Sequence, residues 1–129
     1  MANRFRDWFR QAEADLQMDR QAMEGERFEW SCFAAQQAAE KAVKAVYRKH
    51  SIQTRGNSIT ALLGKKPDSV DLPANFVEAA KALDKNYVQT RYPTCFDSGT
   101  PADFYTRDEA QDSIEKATQI IDFCRDQVD

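Results

Sequence analysis

Apolar residues from Arg4 to Met23 fall at Phe5, Trp8, Phe9, Ala12, Leu16, Ala22 and Met23, mostly three or four apart with charges between them. That period predicts an amphipathic helix, stopped at Gly25. A second helix is predicted from about Phe28 to Tyr47, where Phe28, Cys32, Ala35, Ala39, Ala42 and Val46 form a seam along one face. Six alanines between Ala34 and Ala45 allow a neighbouring backbone to come close, so this helix is expected at the centre. Glu40 and Lys44 form an i,i+4 pair that the pattern places on its wet side.

The polar stretch Ser51 to Asn57 leads to a short apolar piece, Ser58 to Leu63, which Gly64 ends. After a loop from Lys65 to Leu72, Pro73 stands where a helix would begin, and Phe76, Ala79, Ala80, Leu83 and Tyr87 repeat at helical spacing. The last helix opens on Thr106-Arg107-Asp108-Glu109, a capping-box pattern, and buries Ala110, Ile114, Ala117, Ile120, Ile121 and Cys124. No segment alternates as a strand would. The expected fold is an all-α antiparallel four-helix bundle, with an extra short helix and one long loop between the last two helices. That connection, Val88 to Tyr105, is longer than the ~12–15 residues usual for a structureless loop. The segment from Tyr87 to Tyr105 holds five of the 14 aromatic residues, too many for a solvated linker.

Length and composition narrow the function classes. At 129 residues, with no repeat or linker, residues 1–129 are expected to form a single domain. Four Gly and four Pro suit long helices better than many-stranded β folds. Three scattered cysteines (Cys32, Cys95, Cys124) and a lone His50 have no ligand spacing, so no metal site and no cofactor are expected. No apolar run approaches the ~20 residues of a membrane span, and Met1 to Arg10 carries no signal-peptide core, which predicts a cytoplasmic protein away from the membrane. A net charge of −3 gives no bulk electrostatic reason to bind nucleic acid, though a local patch remains open.

Two blocks give the chain a resemblance to the HEPN family of small helical prokaryotic domains. Trp30-Ser31-Cys32-Phe33-Ala34-Ala35-Gln36-Gln37-Ala38-Ala39-Glu40-Lys41-Ala42-Val43-Lys44-Ala45 is similar to the family's second-helix signature. Asp84-Lys85-Asn86-Tyr87 through Thr90-Arg91-Tyr92-Pro93 is similar to the end of its third helix and a "TRYP" turn. Between them, Gly56 to Leu63 resembles a family segment in which His often precedes the Ser; Asn57 stands there. The resemblance implies a bundle that pairs as a homodimer, with the Arg-bearing turn near the dimer cleft. Family members are often encoded beside a minimal nucleotidyltransferase, and some are metal-independent ribonuclease toxins marked by Arg followed four to six residues later by His.

That histidine has no counterpart here. Arg91 is followed by Thr94, Cys95, Phe96 and Asp97, and no histidine follows His50. Metal-free RNA cleavage needs a proton-transfer group near neutral pH as well as a cation at the phosphorane, and Arg91 supplies only the second. No catalytic residue is therefore assigned, and turnover by the chain alone is not expected.

Arg91, Tyr92 and Tyr87 are the leading binding candidates: a planar guanidinium suits a nucleotide or RNA phosphate, and the tyrosines offer stacking faces. The competing reading makes Arg91 a structural tie for the long loop. Gln37, Lys41 and Lys44, with Gln36 beside them, either line the same cleft or form a solvated face. Trp30 and Phe33 are expected in the core, with a partner surface as the alternative. His50 suits a helix end, Asn57 is expected to cap the short helix, and Cys95 lacks a base partner. Tyr92 and Tyr105 are candidate acceptors of a nucleotidyl group. The expected function is that of a partner of a minimal nucleotidyltransferase in a toxin–antitoxin-like or nucleotide-handling pair, as a binding surface or modification target. The alternatives are a ribonuclease toxin with a non-standard base and a nucleotide-binding module without turnover.

Overall fold

The computed structural model describes residues 4–129; Met1, Ala2 and Asn3, which begin the expected domain and the stretch Met1 to Arg10 in which no signal-peptide core is expected, lie outside the described residues. The long helices are α1 (Phe5–Glu24), α2 (Phe28–Lys49) and α7 (Arg107–Val128). Between α2 and α7 come α3 (Ile59–Leu63), α4 (Phe76–Asp84), α5 (Asn86–Gln89) and α6 (Pro101–Phe104), with one 3-10 turn at Pro93–Cys95. No strand occurs among the described residues, so the all-α bundle is as expected. No described helix is long and apolar enough to cross a membrane.

The alanines of α2 decide the packing. Ala35, Ala38, Ala39 and Ala42 are fully buried, as are Ala110 and Ala117 on α7, so these two helices meet along much of their length. They run parallel: Ser113 donates to the Cys32 sulfur near their N-terminal ends, and Lys49 Nζ reaches the Gln127 carbonyl near their C-terminal ends. In an up-down-up-down bundle such a pair would sit on the diagonal. Here small residues close that diagonal, and α1 and α4, each antiparallel to it, flank the pair. Ile59, Leu83, Ile120 and Ile121 complete the core.

Helix ends follow the expected chemistry with two corrections. Glu109 accepts from the Thr106 amide and returns its own amide to the Thr106 hydroxyl, both at 3.1 Å, so the capping box is formed. Gly25 ends α1 as expected, and the left-handed residue beside it is Glu26 (φ 60°), with Arg27 N donating to Ala22 O. The cap of α3 is Ser58, whose hydroxyl accepts from Ala61 N; Asn57 instead offers its carbonyl to Gln36. The third helix begins at Phe76 rather than Pro73, after a turn in which Phe76 N donates to Pro73 O, and is interrupted at Lys85 before α5.

The connection after α5 is structured rather than loose. Phe96 and Phe104 stack at 4.9 Å, and a second capping box, Thr100 with Asp103, starts α6. Gly99 lies at φ 80°, and a Cβ there would come within 2.9 Å of the Phe104 ring, so only glycine makes this turn.

Candidate functional site

Near its N-terminal end α2 turns Ser31 and Cys32 inward, toward Asp19 of α1 and Ser113 of α7. The opposite stripe, Trp30, Phe33, Ala34, Gln37 and Lys41, follows helical spacing and faces outward. Trp30 is 50% exposed, which corrects the expectation of a core residue; Phe33 is half-buried beneath it, the two rings edge to face at 5.9 Å. Met18 and Asp15 of α1 complete an open groove of about 310 Å³. Asp15 accepts from Lys41 at 2.6 Å, and Gln37 donates to Gln36 at 2.7 Å, so the polar rim is held in place.

Arg91, just beyond α5, lies against this stripe. Its Cζ sits 4.5 Å from the centre of the Phe33 ring, 4.8 Å from that of Tyr87 and 5.3 Å from that of Tyr92. No ion pair among the described residues includes Arg91. A guanidinium held over three rings and lacking a carboxylate keeps a charge that no described acidic residue neutralises. Tyr92 is 49% exposed beside it.

The other candidates divide. Tyr105 donates its hydroxyl to Asn86 Oδ1 at 3.1 Å, and burial holds its ionisation well above the ordinary phenol range. Asn86 in turn donates to Ser113, so Tyr105 belongs to a buried polar chain. Lys44 is not on the groove and not on a wet face: it is 9% exposed, 3.2 Å from Glu40, with its ammonium 5.6 Å from the centre of the Trp8 ring. Glu40 is 3% exposed, and burial raises its carboxyl above the usual range, with Lys44 opposing. Gln36 is buried as well, bonded to Asn57 O and Asp84. The solvated-face reading thus fails for Gln36 and Lys44, because α1 and α4 cover those sides of α2.

Sequence reasoning passed over Met18 and Asp15, and it read Phe33 chiefly as core rather than as the platform for Arg91. The available signal was the spacing 30, 33, 34, 37 and 41, a second stripe opposite the alanine seam. His50 caps the far end of α2, 17 residues or about 25 Å along the helix from Phe33, so it cannot serve Arg91 as a proton-transfer group. No cluster of three or more His, Cys, Asp or Glu able to hold a metal occurs among the described residues.

Comparison with known proteins places this geometry. A model of the HEPN domain matches residues 5–127. TT1696 from Thermus thermophilus, of solved structure, is similar at 42% identity and a TM-score of 0.95, covering 97% of this chain and 98% of that one. An archaeal HEPN homologue, ST0689, has 38% identity and a TM-score of 0.82, with the same coverage. A Methanocaldococcus jannaschii protein named "Putative toxin MJ1304" is 22% identical over 92% of this chain and 84% of its own length.

Proposed function

The chain belongs to the HEPN domain family, and we propose that within it this protein is the partner of a minimal nucleotidyltransferase in a toxin–antitoxin-type pair, presenting the groove for docking and Tyr92 for modification. One observation carries this reading: of the two candidate tyrosines, Tyr92 stands exposed beside an unpaired guanidinium, whereas the Tyr105 hydroxyl is already bonded to Asn86. The toxin name of a relative supports the toxin–antitoxin class, and the lack of any histidine after His50 supports a role that does not depend on RNA cleavage by this chain.

In the proposed step the Tyr92 hydroxyl oxygen attacks the α-phosphorus of ATP held by the partner. The new bond joins that oxygen to phosphorus, the bond to the β-phosphate bridging oxygen breaks, and pyrophosphate leaves. The phenolic proton goes to a base of the partner or to water. Arg91 meets the charge on the non-bridging oxygens of the incoming phosphate, where a cation is most effective. Trp30, Phe33 and Met18 supply the apolar contact that anchors a protein surface, with Asp15, Gln37 and Lys41 as its polar rim.

Intact mass after incubation with a minimal nucleotidyltransferase encoded beside this chain, ATP and Mg²⁺ tests the proposal. The expected result is addition of nucleotidyl groups to the wild type and to Tyr105→Phe but not to Tyr92→Phe. No addition by a partner active on another substrate, or full addition to Tyr92→Phe, overturns it.

A further inference from the structure

Charge is distributed unevenly along the chain. Residues 41–67 contain seven Lys or Arg and no Asp or Glu, whereas residues 68–129 contain six against thirteen. The acid-free stretch comprises the C-terminal half of α2, the α2–α3 connection and α3; Lys41 and Lys44 within it pair with Asp15 and Glu40, whereas Arg55, Lys65 and Lys66 make no ion pair among the described residues. Such a segment attracts anions even on a chain of net negative charge.

An open-mouthed cavity of about 240 Å³ lies within it, lined by Tyr47, Ile52, Thr54, Arg55, Leu62 and Lys65 among others. Its shape is fixed by local backbone chemistry. Ser51, at φ 59°, ends α2 in a Schellman turn: its amide donates to Arg48 O, and that of Ile52 to Tyr47 O. Gly56, at φ 80°, turns the chain again toward α3. The Tyr47 hydroxyl is bonded to the Leu62 carbonyl, so the Tyr47 ring serves as wall and its oxygen is committed. Thr54 is different: its hydroxyl is buried and has no partner in the protein. A buried polar group in that state invites a ligand atom. Arg55 and Lys65 are exposed, and neither side chain makes a hydrogen bond or ion pair among the described residues.

We propose that this cavity binds a small phosphate monoester bearing a single apolar or aromatic ring. The ring lies on Ile52 with Tyr47 and Leu62 as the wall behind it, and the phosphate meets Arg55 and Lys65 and, once its side chain rotates toward the cavity, the Thr54 hydroxyl. Two unpaired cations match the charge of a monoester, about −1.5 to −2 at neutral pH, whereas a carboxylate would neutralise only one. The volume falls below the roughly 300 Å³ of drug-sized sites, which limits the body to about one ring. This site is independent of the Arg91 groove.

Calorimetric titration of the full chain with phenyl phosphate, inorganic phosphate and benzoate tests the proposal. Phenyl phosphate is expected to bind about tenfold or more tightly than either of the others, since each lacks one half of the recognition. Arg55→Ala and Lys65→Ala, both at exposed positions, should each weaken binding about tenfold, and the near-isosteric Thr54→Val should weaken it while the thermal midpoint of the free protein stays close to wild type. Arg91→Ala should leave it unchanged, so this site can fail or stand apart from the proposed function. Absence of phenyl phosphate binding, benzoate binding as tightly, or undiminished binding by the folded Arg55→Ala/Lys65→Ala variant would overturn the proposal.

Discussion

Arg91 donates twice to one acceptor, the carbonyl oxygen of Tyr87, through Nε at 2.9 Å and Nη2 at 2.6 Å. The fork ties the turn after α5 to its own last helical residues and leaves one edge of the guanidinium for other partners. Both readings of this arginine are thereby accommodated in one geometry, because a structural tie to a neutral carbonyl consumes no charge. A lysine keeps the charge but has neither fork nor flat face. Arg91→Lys is therefore expected to cost about 1–2 kcal/mol in urea unfolding and to lower modification of Tyr92 together with stability.

Asp19 predicts a pH effect of unusual sign for a carboxylate. It is fully buried, one oxygen accepts from Ser31, and the other has no partner. Burial raises its pKa from 3.8 to about 7, with the Ser31 hydrogen bond pulling the other way. The folded chain therefore holds a proton that the unfolded chain releases above pH 4. This group's contribution is complete below about pH 4 and is lost as pH rises to about 7. Asp19→Asn, neutral in both states, should gain on wild type by a few kcal/mol over that window. Thermal midpoints of the two proteins from pH 4 to 8 measure it, and parallel curves would contradict it.

Ser51 occupies a left-handed position that glycine adopts without steric cost. Ser51→Gly is expected to raise stability by about 0.5–1 kcal/mol, net of the greater freedom glycine has when unfolded. The readout is a higher urea midpoint at unchanged slope.

Asp84 gathers four donors: the amides of Ile59 and Thr60 at 2.9 Å, the Ser58 hydroxyl at 3.0 Å and Gln36 Nε2 at 3.3 Å. This one carboxylate pins α3 to α4 and satisfies a glutamine buried in α2. Asp84→Ala should cost roughly 2–4 kcal/mol, with fastest loss of amide protection in α3; Asp84→Asn, which keeps one acceptor, should cost less.

Period and caps made the bundle legible in the sequence, because each long helix buries a continuous stripe and Thr106 with Glu109 marks a start by local chemistry alone. What stayed hidden depended on neighbours distant in sequence. Lys44 looks like a wet residue until α1 brings Trp8 over it, and Gln36 looks like surface until Asp84 arrives from α4. Trp30 misled in the other direction: its size argues for the core, yet the inward positions around it belong to Glu29, Ser31 and Cys32. Turn residues were read through glycine, so Gly25 and Gly56 were noticed while Glu26 and Ser51, which share the left-handed backbone of Gly56, were not. Arg91 was found through its turn, but its platform on Phe33 required the third dimension.

Ala35, Ala38, Ala39 and Ala42 carry no rotatable side chain, so the contact of α2 with its neighbours has almost no rotamer slack. A force applied at Trp30 is therefore carried lengthwise, as by a strut, to the other end of a helix of 22 residues, about 33 Å long. Whatever grips the groove grips the whole bundle, and in fixing the heading of Trp30 and Arg91 it also fixes where the basic end points.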